Sequence, residues 1–144
     1  MLPLRDNIGD GGATNAGLVL IGLITAAGAF IPGGGWLPAL VAFAAAWVFV
    51  PTPVRRFGLI PVGVVAAASG AFGGWLATTA GHEAGVWAAP MAAAGVAVLH
   101  LVTNSTARVM GLVVIPFRST FVEISSRLFA ACWAGAAVIL VVIL

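Results

Sequence analysis

Charged residues are what this sequence has least of. Only 7% of its 144 residues are Asp, Glu, Lys or Arg, and 62% are hydrophobic, whereas an ordinary soluble domain carries roughly 25% charged residues. Six arginines, four acids and two histidines are too few to cover even a small globule with a mixed charged surface. The composition therefore excludes a soluble domain and indicates that the main solvent of the chain is lipid.

Cysteine and clustered basic charge are also scarce. Cys132 is the one cysteine of the chain, which excludes an intrachain disulfide and a cysteine metal cluster. The arginines lie singly or in one pair beside apolar segments and form no basic face, so they predict no nucleic-acid partner. We expect no cofactor and no metal, and we interpret the arginines as charges that orient a membrane protein.

Long uncharged apolar segments, separated by Gly, Pro or charged residues, make up most of the chain. A transmembrane helix needs about 20 such residues, so several helices would use residues 1–144 almost completely, as one domain. The pattern predicts an all-α integral membrane protein, a bundle of about five transmembrane helices. The expected spans are residues 16–31, 36–50, 57–79, 86–102 and 128–144.

The segment 106–127, before the last span, differs from the others. It alternates apolar and polar patches and contains Pro116, Arg118, Glu123 and Arg127. Because charged side chains are costly in the hydrocarbon layer, this segment is not expected to cross it freely. We expect an amphipathic or re-entrant helix along the membrane surface.

The arginines also predict an orientation, because short cytoplasmic loops are rich in Lys and Arg. Arg55 and Arg56 follow the second span, and three more arginines lie between the fourth and the fifth. The alternate loops, 32–35 and 80–85, contain no Arg or Lys. The N-terminus is therefore expected inside and the C-terminus outside.

Small residues at four-residue spacing predict how the helices pack. In lipid, helices associate through close van der Waals contact, which small side chains permit. Ordinary packing within the chain explains them most simply, and self-association is the alternative. The candidate packing residues are Gly58, Ala66, Gly70 and Gly74 in the third span, Ala93 in the fourth and Gly135 in the last.

Few polar side chains fall inside the predicted spans. The first four spans contain no Asp, Glu, Lys or Arg, which argues against ion-driven transport. His100, Asn104 and Ser69 form the possible intramembrane polar site. A hydrogen bond between helices is the main expectation for His100, and a haem ligand or a proton-carrying group are the alternatives.

Two short motifs resemble a known family. Residues 1–6, Met-Leu-Pro-Leu-Arg-Asp, are similar to the start of many bacterial rhomboid proteases, and residues 67–73 resemble the GxSG serine motif of that family, with Ala67 at its first glycine. The resemblance implies serine proteolysis with Ser69 as the nucleophile. A nucleophile and its base must lie about 3 Å apart, yet the predicted spans place Ser69 in mid-membrane and His100 near the inner surface. We therefore expect no enzymatic activity.

The expected function is helix packing, as a homo-oligomer or as an accessory or structural subunit of a membrane assembly. Its partners would be the lipid bilayer and either further copies or other membrane subunits, in a prokaryotic or virally encoded cell membrane. The main alternative is a small pore or channel, including a holin-like permeabilising protein, in which Thr25, Ser69, Thr78 and Thr79 line the path. An intramembrane enzyme or haem-binding subunit that uses His100 is the third.

Overall fold

Six helices dominate the structure, a computed structural model that describes residues 2–6, 14–116 and 118–143. The five predicted apolar segments are helical, so the helical class is confirmed. Met1, the first residue of the motif at 1–6, and Leu144, the end of the last expected span, lie outside the described residues. The helices are α1 (Asn15–Phe30), α2 (Trp36–Phe49), α3 (Pro51–Phe57), α4 (Leu59–Thr79), α5 (Gly85–Thr103) and α6 (Ser126–Ile143).

A three-stranded antiparallel sheet replaces the helix expected before the last span. Its strands are β1 (Leu2–Asp6), β2 (Arg108–Ile115) and β3 (Arg118–Ser125), in the order β1-β2-β3. The prediction of an amphipathic or re-entrant helix in this segment is wrong. Strand β2 contains three Val and one Ile, and β3 contains one each of Val, Ile and Thr, residues that favour strands. Pro116 lies in the turn between β2 and β3, where it removes no ladder hydrogen bond.

Two helices, α4 and α5, are long and apolar enough to cross a membrane. At a rise of about 1.5 Å per residue they are about 30 Å long, the thickness of the hydrocarbon layer. Helices α2 and α3 meet the same criterion together, as a pair bent by 51°. Pro51 and Pro53 explain the bend, because proline lacks the N–H that a continuous helix needs. Helix α1 and the segment Ser126–Ile139 of α6 are apolar but shorter.

Helix α5 lies at the centre of the bundle, where it packs against α1, α2, α4 and α6. Its side chains Ala89, Ala93, Val96 and His100 are fully buried. Alanine and valine make up most of the core, so neighbouring helices approach α5 closely on several sides.

Two turns meet at the end of the bundle opposite the sheet. Gly33 has a φ of +79°, which favours glycine, and ends α1 in the turn before α2. The N–H of Gly85, at the start of α5, donates to the carbonyl oxygen of Pro32 over 2.8 Å. A Cβ at Gly85 would lie only 2.5 Å from the Gly34 nitrogen, so glycine is required where the turn crosses α5.

Candidate functional site

Helices α4 and α5 pack closely, and their contact uses two of the predicted glycines. A Cβ at Gly70 would lie 3.1 Å from the carbonyl oxygen of Ala88. A Cβ at Gly74 would lie 3.4 Å from the Cβ of Ala84, an ordinary van der Waals distance. Ala66, on the same ridge, is buried. The small-residue ridge of α4 therefore lies against α5 of the same chain.

The other predicted packing residues lie elsewhere. Ala93 is fully buried in the core on α5. Gly58 is exposed at the junction of α3 and α4 with a φ of +87°, where it permits the turn. Gly135 is exposed on α6, with open space where a Cβ would be.

Sequence reasoning missed Gly73, the tightest glycine on α4. A Cβ there would overlap the Cβ of Met91 and lie 2.9 Å from the carbonyl oxygen of Trp87. Gly95 is a second packing position that was missed: a Cβ on it would overlap the side chain of Ser69. A strict four-residue ridge omits Gly73, but helix faces also repeat every three residues, so the triplet Gly70, Gly73 and Gly74 carried the signal.

His100 is fully buried where α2, α5 and α6 meet. Its ring centre lies 5.2 Å from that of Phe49, which in turn lies 5.6 Å from that of Phe129. Asn104 ends α5: its backbone N–H and its side-chain nitrogen both donate to the carbonyl oxygen of His100, over 2.8 and 3.3 Å. Asn104 therefore caps its own helix, and the imidazole packs beside the ring of Phe49.

Ser69 lies on a different side of α5 from His100. It packs against Gly95, in a groove between α4 and α5 that Phe72 and Met91 also line. Gly95 and His100 are five residues apart on α5, so their side-chain positions differ by about 140° around the helix and about 7.5 Å along it. The structure does not bring together the serine and histidine that the resemblance to rhomboid proteases would require.

Basic side chains gather at the end of the bundle that carries the sheet. Arg56, at the end of α3, donates from Nη1 to the carbonyl oxygen of Thr103 over 3.4 Å and lies over the ring of Phe57. In the sheet, Arg108 and Glu123 form an exposed ion pair of 3.8 Å. His82 and Glu83 lie in the turn between α4 and α5, at the opposite end. The two ends of the bundle therefore differ in charge.

A side-chain hydrogen bond ties α6 to α2. The indole Nε1 of Trp133 donates to the carbonyl oxygen of Val41 on α2 over 2.6 Å, and Trp133 is buried. Most of the rest of α6 faces outward, including Ala131, Ala134 and Gly135. Helix α6 is thus attached along one narrow face and presents small residues on another.

Large apolar side chains cover the outside of the helices. Ile60 on α4 is 79% exposed and Trp36 at the start of α2 is 72% exposed. Other exposed side chains of this kind are Leu18, Val19, Leu23 and Phe30 on α1, Leu40, Phe43 and Trp47 on α2, Phe57 on α3, Leu59, Val64, Phe72 and Trp75 on α4, Val98 and Val102 on α5, and Leu128, Val138, Ile139, Val142 and Ile143 on α6.

Neither a metal site nor a comparison with known proteins identifies a function for the described part of the chain. Within residues 2–6, 14–116 and 118–143, no three His, Cys, Asp or Glu side chains are grouped so that they could hold a metal ion. No protein-family model, no curated protein and no solved structure matches the chain. Its function must therefore be argued from its own packing and surface.

Proposed function

We propose that the chain is an integral membrane protein that acts through helix packing, as a homo-oligomer or as an accessory subunit of a membrane assembly. The observation that carries the membrane part is the apolar surface, which every long helix presents outward. A monomeric soluble protein rarely exposes apolar patches of more than a few hundred square ångströms. In a bilayer the same surface faces lipid chains, and the helices satisfy their own backbone hydrogen bonds.

The proposed topology has five spans: α1, α2 with α3, α4, α5 and α6. Short turns join the first four spans and the hairpin of β2 and β3 joins α5 to α6, so successive spans run in opposite directions. Helix α1, with 16 residues, reaches only about 24 Å, a mismatch that local thinning of the bilayer accommodates. Helices α4 and α5 match the full layer.

The positive-inside rule orients this bundle. The sheet end carries Arg55, Arg56, Arg108, Arg118 and Arg127, so it is the cytoplasmic end in our proposal. The N-terminus is then inside and the C-terminus outside. Trp36 supports the same arrangement, because an exposed indole at the opposite end suits the outer interface.

We assign the outward face of α6 to contact with a partner in the assembly. The ridge of α4 is occupied by α5 and has no surface left for a partner. On α6, by contrast, Ala131, Ala134 and Gly135 face outward, and small residues on a lipid-facing helix allow a second helix to approach closely. This exposed small-residue face supports a role in a larger assembly.

Native mass spectrometry of the protein in mild detergent tests the assembly. We expect masses at multiples of the 14.4 kDa chain or a defined complex with another membrane protein. Gly135→Leu should reduce that assembly, because a long side chain would separate the helices. Gly22→Leu is the matched control, since Gly22 is exposed on α1 and also has open space around it. A monomer at every detergent ratio would contradict the proposal.

Among the described residues, no observation favours the alternative functions. Three hydroxyl groups expected to line a pore donate instead to carbonyl oxygens of their own helices, each over 2.8 Å: Thr25 to Ile21, Thr78 to Trp75 and Thr79 to Leu76. We accordingly expect vesicles that contain the protein to retain a trapped fluorescent dye. Rapid dye leakage would favour the pore, and a Soret band on the purified protein would favour the haem-binding subunit.

A further inference from the structure

The two edges of the sheet differ in how they are protected. Strand β1 carries Pro3, and its pairing with β2 is irregular between Pro3 and Arg5. Prolines and bulges of this kind prevent an edge from pairing with another strand. Strand β3 has neither: it pairs with β2 in unbroken register over all eight residues and contains no proline or lysine. It is also exposed along nearly its whole length.

The pairing with β2 determines which backbone groups of β3 point outward. Ser126 donates to the carbonyl oxygen of Ala107 over 3.0 Å, and hydrogen-bonded pairs alternate along an antiparallel ladder. The even-numbered residues of β3 therefore bond to β2. The N–H and C=O groups of Ser119, Phe121 and Glu123 point away from it, and among the described residues no backbone hydrogen bond joins them to another element.

We propose that this edge pairs antiparallel with β3 of a second copy, to form one six-stranded sheet at the cytoplasmic surface. The inference rests on the membrane assembly proposed above and names one of its interfaces. About six to eight interchain hydrogen bonds would form, two for each opposing pair of outward-pointing residues. Phe121, whose side chain is 67% exposed, would gain an apolar neighbour.

The symmetry of such a pair suits two copies in one membrane. Residues that lie opposite each other across an antiparallel pair share a face of the sheet, so the two-fold axis is perpendicular to the sheet. Val109 and Ile124 face the helices, and this axis keeps both helical bundles on the same side. Both copies then cross the membrane in the same direction.

The charges of β3 favour a second copy in this antiparallel sense. Arg118 lies at one end of the strand and Glu123 near the other. Antiparallel pairing centred on Phe121 sets Arg118 opposite Ile124 of the other copy and Glu123 opposite Ser119, so no like charges meet. Parallel pairing in register would place identical charges side by side. Directly opposite like charges destabilise a strand pair.

Disulfide cross-linking in native membranes tests the pairing. The test uses Phe121→Cys and Val122→Cys, each in a Cys132→Ser background. The two-fold axis between the paired β3 strands can pass through Phe121 or through Val122. Each variant therefore places the two thiols of the dimer opposite each other in one of these two registers. Opposing Cα atoms are then about 4.5 to 5.5 Å apart, within the range of a disulfide. Met110→Cys on β2 is the control, because three strand spacings of about 4.8 Å separate it from its counterpart.

We expect mild oxidation to convert at least half of one β3 variant into a covalent dimer and to leave the Met110→Cys variant monomeric. Equal cross-linking of all three variants would overturn the inference, since it would reflect random collision. If native mass spectrometry detects an assembly but neither β3 variant cross-links, the edge pairing is wrong and the proposed function stands. If the chain is monomeric throughout, both are wrong.

A proline substitution provides a second test that acts on the backbone. Phe121→Pro removes an outward N–H and leaves the ladder with β2 intact, so we expect the dimer to be lost while the chain still folds. Phe121→Ala removes the side chain but keeps the N–H, and it should retain most of the dimer. Equal behaviour of these two variants would contradict a contact made through the backbone.

Discussion

Replacing Gly73 by alanine should weaken the contact between α4 and α5 more than any other single-methyl change on α4. The added Cβ would overlap the Cβ of Met91 and approach the carbonyl oxygen of Trp87 to 2.9 Å. Neither atom is the end of a flexible side chain, so the helices themselves must separate. Contacts on both sides of Gly73, including that of Gly70 with Ala88, would loosen together.

The size of the effect follows from two opposing contributions. Overpacking of a tight core typically costs about 1–3 kcal/mol, while alanine stabilises a helix interior over glycine by about 0.5–1 kcal/mol. Gly63→Ala provides the control, because Gly63 lies on the same helix with open space around it. The change of helix propensity is the same in both variants, so their difference in unfolding free energy, about 1–3 kcal/mol, measures the packing contribution.

Thermal unfolding in detergent, followed by circular dichroism, measures both variants under one condition. We expect Gly63→Ala to unfold at or slightly above the wild-type temperature and Gly73→Ala clearly below it. Gly74→Ala should fall between the two, since its new Cβ meets ordinary van der Waals distances. If Gly73→Ala proves as stable as Gly63→Ala, the close approach of α4 to α5 is not as described.

Two further predictions concern the attachment of α6 and the buried histidine. Trp133→Phe removes the hydrogen bond to Val41 and should lower the unfolding free energy by about 0.5–1.5 kcal/mol, whereas Trp36→Phe, at an exposed site, should change it little; equal effects would argue against the bond. His100→Ala opens a cavity beside Phe49 and should cost about 2–4 kcal/mol, measured by the same unfolding assay. A His100→Ala variant with wild-type stability would show that the ring is not enclosed.

The helices could be predicted from the sequence because their signal is strong and local. Runs of apolar residues end at Pro32, at Pro51 and in the polar turn 80–85. Proline and polar, glycine-containing turns end helices for local reasons that need no tertiary information. The additional helix α3 is the continuation of α2 after its bend at Pro51.

The sheet could not be predicted in the same way, because its pairing is non-local. Strand β1 lies more than 100 residues before its partner β2, and a five-residue strand without its partner has no distinctive pattern. The charges of segment 106–127 predicted only that it does not cross the membrane freely. They did not reveal that Val, Ile and Thr residues on both sides of Pro116 form a hairpin.

The sequence predicted that small residues pack the helices, but only some of the predicted positions lie at a helix contact. Gly70 and Gly74 do lie against α5, but Gly58 forms a turn and Gly135 faces outward. Spacing alone identifies which residues share a helix face, and it cannot identify which neighbour that face meets. The same limit applies to Ser69 and His100. The sequence shows that both lie in apolar segments, but it does not show that they lie on different sides of α5.

Thiol labelling of intact cells tests the central claim, a membrane-embedded bundle whose arginine-rich end is cytoplasmic. In a Cys132→Ser background, Ala80→Cys lies in the turn after α4, and Ser105→Cys lies between α5 and β2; both positions are exposed. A membrane-impermeant maleimide should label Ala80→Cys in intact cells and Ser105→Cys only after the membrane is permeabilised. Labelling in the reverse order, or recovery of the chain in the soluble fraction, would contradict the account.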